Sequence, residues 1–126
     1  MRFKAPKNSE KFLWTLHAIE KMKYYGLSES RVKNVLFHPE RHELGIAPET
    51  FAAMKRRGTK KHPWEHWVMY QTVIKLKGRE PLKNFQYKII STWKYPGQSQ
   101  PGRPIPIPEE IKEELMNELE KLKHDQ

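Results

Sequence analysis

Apolar positions between Leu16 and Leu36 recur at helical spacing and are broken once, at Gly26, so this stretch is expected to form two helices with a very short joint. Thr15 is placed to cap the first helix, and Gly26 to end it in the left-handed conformation that other residues avoid. Ser28 offers a second cap. Val32, Val35 and Leu36 mark the buried side of the second helix, and Pro39 prevents its continuation. Ahead of the pair, Lys11 to Thr15 is a short apolar and aromatic run that reads as a strand, against a rival in which one helix starts at Ser9. Met1 to Glu10 has no periodicity and reads as an irregular arm.

After Pro39 the pattern changes from helical to alternating. Glu40 to Thr50 contains Gly45 and Pro48 and is expected to be a loop or an edge hairpin. Thr50 to Arg57 fits a strand or a short helix, with the strand preferred because a basic turn joins it to a clearer one, His66 to Leu76. On that strand Val68, Tyr70, Thr72 and Ile74 share one face, and Trp67, Met69, Gln71 and Val73 the other. Lys77 to Asn84 reads as a loop. Phe85 to Trp93 is the last core strand, with Phe85, Tyr87, Ile89 and Ser91 on one face and Lys88, Ile90 and Thr92 opposite. The expected architecture is α+β, two N-terminal helices packed on an antiparallel sheet.

Residues 97–108 are too rich in proline for a helix or a ladder and form a semi-extended strap after a body of residues 1–96. The strap delivers a C-terminal helix over residues 109–126 with an apolar stripe of Ile111, Leu115, Leu119 and Leu122.

Composition bounds these elements to one domain: 126 residues at 37% hydrophobic content are enough for a core without staples, and there is no cysteine for disulfides or thiolate chemistry. No apolar run is long enough to span a bilayer and no signal-peptide pattern is present, so the expected location is cytoplasmic, with no membrane partner. Charge says more. Of 24 basic and 15 acidic residues, 3 and 7 lie from Ile105 onward, so the tail carries 3 − 7 = −4 and the body 21 − 8 = +13. A body of that charge attracts polyanions, nucleic acid first among them; a lysine-rich solvated surface is the plainer account. The tail helix has two expected roles, folding back over the basic body or pairing its stripe with a second copy in a homodimer.

The run HAIEKMKYYGLSESRVKNVL resembles the signature H-A-x-x-R-M-x-x-R-G-I/L-S of a family of small prokaryotic proteins related to the BrnT and RelE ribonuclease toxins, within the barnase, EndoU, colicin and RelE-like superfamily. The resemblance covers roughly residues 11–96 and continues in the polar and aromatic end of the last strand. Two positions depart from the signature. Lys21 stands at the first arginine and keeps the charge without the planar fork; Tyr25 stands at the second and loses the charge.

The resemblance implies a RelE/BrnT-like fold, RNA as substrate, a protein antitoxin as partner and cleavage without a metal or other cofactor. Such cleavage needs a base for the 2′-OH proton, an acid for the leaving oxygen and cations around the phosphorane. By resemblance His17 is the acid or base, and Lys21, one turn on, holds phosphate. Thr92 is the polar group opposite them. Lys55, Arg56 and Arg57 supply charge if their strand edges the same cleft, with Tyr87 as a weaker addition. Each also has an ordinary reading: a helix-start histidine that bonds backbone, a surface lysine, a plain strand threonine, a solvated edge. Two pairs, His38 with His42 and His62 with His66, stand four apart as metal ligands on a helix would, but Pro39 and Pro63 disfavour helix there, so no metal site is expected. The alternative to an enzyme is a non-catalytic nucleic-acid-binding or interaction module on the same fold.

Overall fold

A computed structural model of the chain describes residues 2–74 and 85–124. Its order is β1 (Phe12–Trp14), α1 (Leu16–Tyr25), α2 (Glu29–Phe37), β2 (Arg41–Leu44), β3 (Phe51–Gly58), β4 (Pro63–Ile74), β5 (Phe85–Pro96) and α3 (Glu109–His124). The expected loop at Lys77 to Asn84 and the expected end of the strand at Leu76 lie outside the described residues.

Both caps of the helix pair are made as the sequence requires. Thr15 Oγ1 accepts from the Ala18 N–H at 3.0 Å, Gly26 ends α1 at φ 69°, and Ser28 Oγ accepts from the Arg31 N–H at 3.3 Å. The run before α1 is the strand rather than an extension of the helix, and Asn8 and Ser9 of the N-terminal arm accept its Trp14 and Phe12 N–H groups. Arg41–Leu44 is the edge of a hairpin with β3, so the stretch after Pro39 took the hairpin form.

The sheet has the order β1-β5-β4-β3-β2 and is mixed, which corrects the antiparallel expectation. β2 to β5 run antiparallel in sequence, but β1 pairs parallel with β5, with Phe12 opposite Tyr87 and Trp14 opposite Ile89. The helix pair carries the chain from one edge of the sheet to the other, and three antiparallel reversals bring β5 back beside β1 in the same direction.

α1 and α2 cover one face, where Ala18, Met22, Leu27, Val32 and Val35 pack on Ala53, Val68 and Ile89. α3 covers the other. Its Ile111, Leu115 and Leu119 are 1%, 0% and 3% exposed against Met54, Trp67, Met69, Ile90 and Trp93. The stripe offered above for a homodimer is buried within the one chain, where the tail folds back onto the sheet.

The strap is fastened by a carboxylate that charge counting alone would place on the surface. Glu65 is fully buried; its Oε1 accepts from Trp67 Nε1–H at 3.0 Å and Ser99 Oγ–H at 2.6 Å, and its Oε2 from the Ser99 N–H at 2.9 Å. Arg41 donates to Ser99 Oγ and to the Arg103 carbonyl, and Trp93 Nε1–H donates to the Pro106 carbonyl. The bonds to Ser99, Arg103 and Pro106 tie the strap to the face on which α3 must land, and the Trp67 bond holds the Glu65 carboxylate in place for them.

Candidate functional site

Two polar constellations stand out, one at the sheet edge where α1 meets α3 and one on the helix-pair face. The first is built where β1 turns into α1. Thr15 Oγ1 lies 3.0 Å from the carbonyl oxygens of both Ile89 and Ile90, which pins the start of α1 to β5. His17, 5% exposed, then places Nε2 2.9 Å from Ser91 Oγ. One turn on, Lys21 Nζ meets Glu114 Oε2 of α3 at 2.6 Å, and His17 Nδ1 lies 3.8 Å from the same oxygen. Tyr25, a further turn along, donates its hydroxyl to Glu110 Oε1 at 3.1 Å.

Burial holds the His17 imidazole below its ordinary value, with Lys21 adding to the effect; Glu118, Glu114 and Glu20 oppose it without reversing it. His17 is thus neutral near pH 7, the form a proton acceptor needs. The Glu114 carboxyl is held down first by its hydrogen bond from Lys21. Its side chain is 52% exposed while that of Lys21 is 10% exposed, so the anion closes the site from the solvent side.

Thr92 is not the residue opposite His17; Ser91 is. The pairing of β4 and β5 shifts register between Met69 and Tyr70, where Ile89 and Ser91 are opposite successive β4 residues and Ile90 is extra. Such a bulge reverses the inside–outside alternation beyond it. Ser91 therefore joins the side of Ile90 and Trp93, and Thr92 turns to the helix-pair face, where its hydroxyl donates to the Trp67 carbonyl at 2.7 Å and lies 3.0 Å from His66 Nε2.

The second constellation is the one Thr92 joins. Lys55 pairs with His66 and His66 with Lys94 across three neighbouring strands, and Arg57 pairs with Trp64 in the next row of the same face. Arg57 also donates to Asn34 Oδ1 of α2 at 3.2 Å. Arg56, between the two, points to the opposite face and is exposed. Lys55 and Arg57 thus belong to this helix-pair face and not to the edge at which His17 meets α3, because alternate residues of a strand project together while α3 lies on the other side. Tyr87 lies elsewhere again. Its ring stacks on Phe12 at 5.3 Å and meets Tyr70 edge-on at 5.6 Å, as part of an aromatic cluster.

His66 is fully buried, and because Thr92 spends its hydroxyl proton on Trp67, the hydrogen between Thr92 and His66 belongs to Nε2; Nδ1 is left as a bare acceptor without a partner. Burial, then Arg57, Arg31 and Lys94, push its pKa from 6.5 down to about 3. Between these two values the unfolded chain takes up a proton that the folded chain refuses. This contribution to stability is complete above pH 6.5 and is lost as the pH falls toward 3, at up to about 1.4 kcal/mol per pH unit. Denaturant midpoints measured from pH 6.5 down to 5 should fall less steeply in His66→Gln than in the wild type; equal slopes would show that His66 is protonated in the fold.

Ser91, Glu110, Glu114, Arg31 and Lys94 were not singled out from the sequence, and His66 was considered there only as half of a histidine pair for a metal. Glu110 and Glu114 did carry a signal, being one turn apart beside the apolar stripe of an acidic tail. Ser91 carried none, since the bulge that turns it is invisible to strict alternation. No family model, curated protein or solved structure matches this chain. Among the described residues, no helix is long and apolar enough to cross a membrane.

Proposed function

We propose that this chain is an RNA-binding, toxin-like protein of the RelE/BrnT type that cleaves RNA without a metal, with His17 as proton acceptor and Lys21 as phosphate ligand. One observation carries the reading: a lysine and a neutral imidazole of the +13 body converge on a single anionic oxygen, 2.6 Å and 3.8 Å away. A non-bridging phosphate oxygen has the same charge and hydrogen-bonding needs as that carboxylate oxygen. Ser91 Oγ supports the role as well, because a hydroxyl can donate to or accept from His17 Nε2 and so allows the imidazole either tautomer. The order of β1, the helix pair and the following meander agrees in outline with a RelE-like domain. An antitoxin remains the partner implied by the resemblance, and the buried stripe of α3 is not its seat.

In this reading Glu114 competes with phosphate. Opening the site needs only that the half-exposed Glu114 side chain swing out; α3 stays in place. Glu114→Gln should therefore tighten RNA binding severalfold at low salt and leave the melting temperature close to wild type. An unchanged affinity would place the bound phosphate away from Lys21.

The activity itself is tested with purified protein and mixed RNA in chelator, looking for fragments ending in 2′,3′-cyclic phosphate. A specific observation favours a second reading, the non-catalytic binding module: both positions at which the signature has arginine are engaged inside the chain, Lys21 with Glu114 and Tyr25 with Glu110. Intact RNA together with a salt-sensitive mobility shift would select that reading.

A further inference from the structure

The helix-pair face holds a charge arrangement that the His17 site does not use. Lys55, His66 and Lys94 form one row across β3, β4 and β5, and Arg57 and Trp64 form the next. Neighbouring strands lie about 4.8 Å apart, so Lys55 and Lys94 stand roughly 10 Å from one another across the neutral His66, with Arg57 two residues along β3 from Lys55 on the same face. Arg31 of α2 adds to them, since its field, like those of Arg57 and Lys94, is felt at His66.

Among the described residues none of Arg31, Lys55, Arg57 and Lys94 is paired with a carboxylate. The one buried acid on β4, Glu65, faces away and is spent on Ser99 and Trp67. Lys94 rests its ammonium 4.6 Å from the centre of the Trp64 ring. A cation held by a π-face gives itself up to an incoming anion without an ion pair having to break. At the floor, Arg57 Nε–H and His66 Nδ1 are both buried without hydrogen-bond partners, so the guanidinium has a donor still to be satisfied.

We propose that this cation cluster of β3 and β5, with Trp64 of β4 between them, is a second contact surface for single-stranded RNA, taking phosphates on Lys55, Arg57 and Lys94 and a base on Trp64. It rests on the reading that the chain binds RNA, and it is separate from the His17–Lys21 site. Charge complementarity selects the occupant. Cations without carboxylate partners, set around a half-buried indole, suit a ligand that alternates phosphate with a flat aromatic base.

The test titrates full-length protein into a labelled single-stranded RNA of about 12 nucleotides over a series of salt concentrations. Lys55→Gln and Lys94→Gln should each weaken binding and make the plot of log K against log salt shallower by about 0.7, the share of one phosphate on a single strand. Trp64→Leu should weaken binding roughly fivefold or more with the slope unchanged, as loss of a stacked base predicts. These are surface or half-buried positions, and circular dichroism confirms the fold of each variant; Trp64→Phe, which keeps a ring, should recover part of the affinity. Wild-type affinity and slope in all three variants, with weakened binding in Lys21→Gln, would overturn this surface and leave the RNA-binding reading standing. No binding by the wild-type protein at any salt would instead remove the RNA reading itself. Equal affinity for polyglutamate, insensitive to Trp64→Leu, would overturn the proposal in favour of an acidic protein partner.

Discussion

A chain cut after Gln100 is expected to lose its cooperative fold. The tail looks dispensable in sequence, an acidic helix after a proline-rich strap, yet it supplies one of the two layers that enclose the sheet. Without it Met54, Trp67, Met69, Ile90 and Trp93 face water, including the stacked Trp67–Trp93 pair whose rings lie 6.3 Å apart. Burying Ile111, Leu115 and Leu119 contributes about 1.5–3 kcal/mol each, roughly 5–9 kcal/mol together. That is comparable with the ~5–15 kcal/mol by which whole domains are stable. The shortened chain should therefore show no sigmoidal denaturant transition and should bind a hydrophobic dye. A cooperative transition with a midpoint near wild type would mean that α3 is an accessory and not a wall of the core. Leu115→Ala is the milder form of the same test and should cost about 2–5 kcal/mol.

This dependence limits how the His17 site can be opened. RNA that had to peel α3 from the sheet would work against the whole of that burial, whereas RNA that displaces one half-exposed carboxylate works against a single ion pair. The strap reinforces the difference, because Glu65, Arg41 and Trp93 hold its Ser99, Arg103 and Pro106 to the sheet on the approach to α3.

His17→Ala is the second large effect. If His17 takes the 2′-OH proton, its removal should slow cleavage by about 10²–10⁴-fold, the usual contribution of a positioned general base. Binding should change little, since Lys21 and the basic body remain. The substitution also leaves the buried Ser91 hydroxyl without its imidazole partner, a loss of order 1 kcal/mol that a melting curve measures separately from activity. Undiminished cleavage by a folded His17→Ala protein would remove His17 from the chemistry and turn attention to the neutral imidazole of His66.

Local chemistry made much of the fold legible. Thr15, Gly26 and Ser28 fix the ends of α1 and α2 through bonds that span three residues, and the alternation in β4 fixes which of Trp67, Val68, Met69 and Tyr70 face each helical layer. Such features are set by a residue and its near neighbours, so they can be read along the chain. His17 and Lys21 could be placed on one side of α1 for the same reason.

What only the tertiary structure decided was partnership. One extra residue at Ile90 exchanged the roles of Ser91 and Thr92, so that His17 met the serine and His66 the threonine. The parallel pairing of β1 with β5 followed from how many reversals separate them, a property of the whole path. Lys55 and Arg57 were legible as cations, but their separation from Lys21 depended on which face each strand turned to the helices. The sequence by itself determined that this protein has a capped helix pair, an alternating sheet, a basic body and an acidic amphipathic tail. The packing of that tail on the far face decided that Glu114 closes on Lys21, because contacts between residues so distant along the chain are selected by the burial of the whole sheet and not by any local preference.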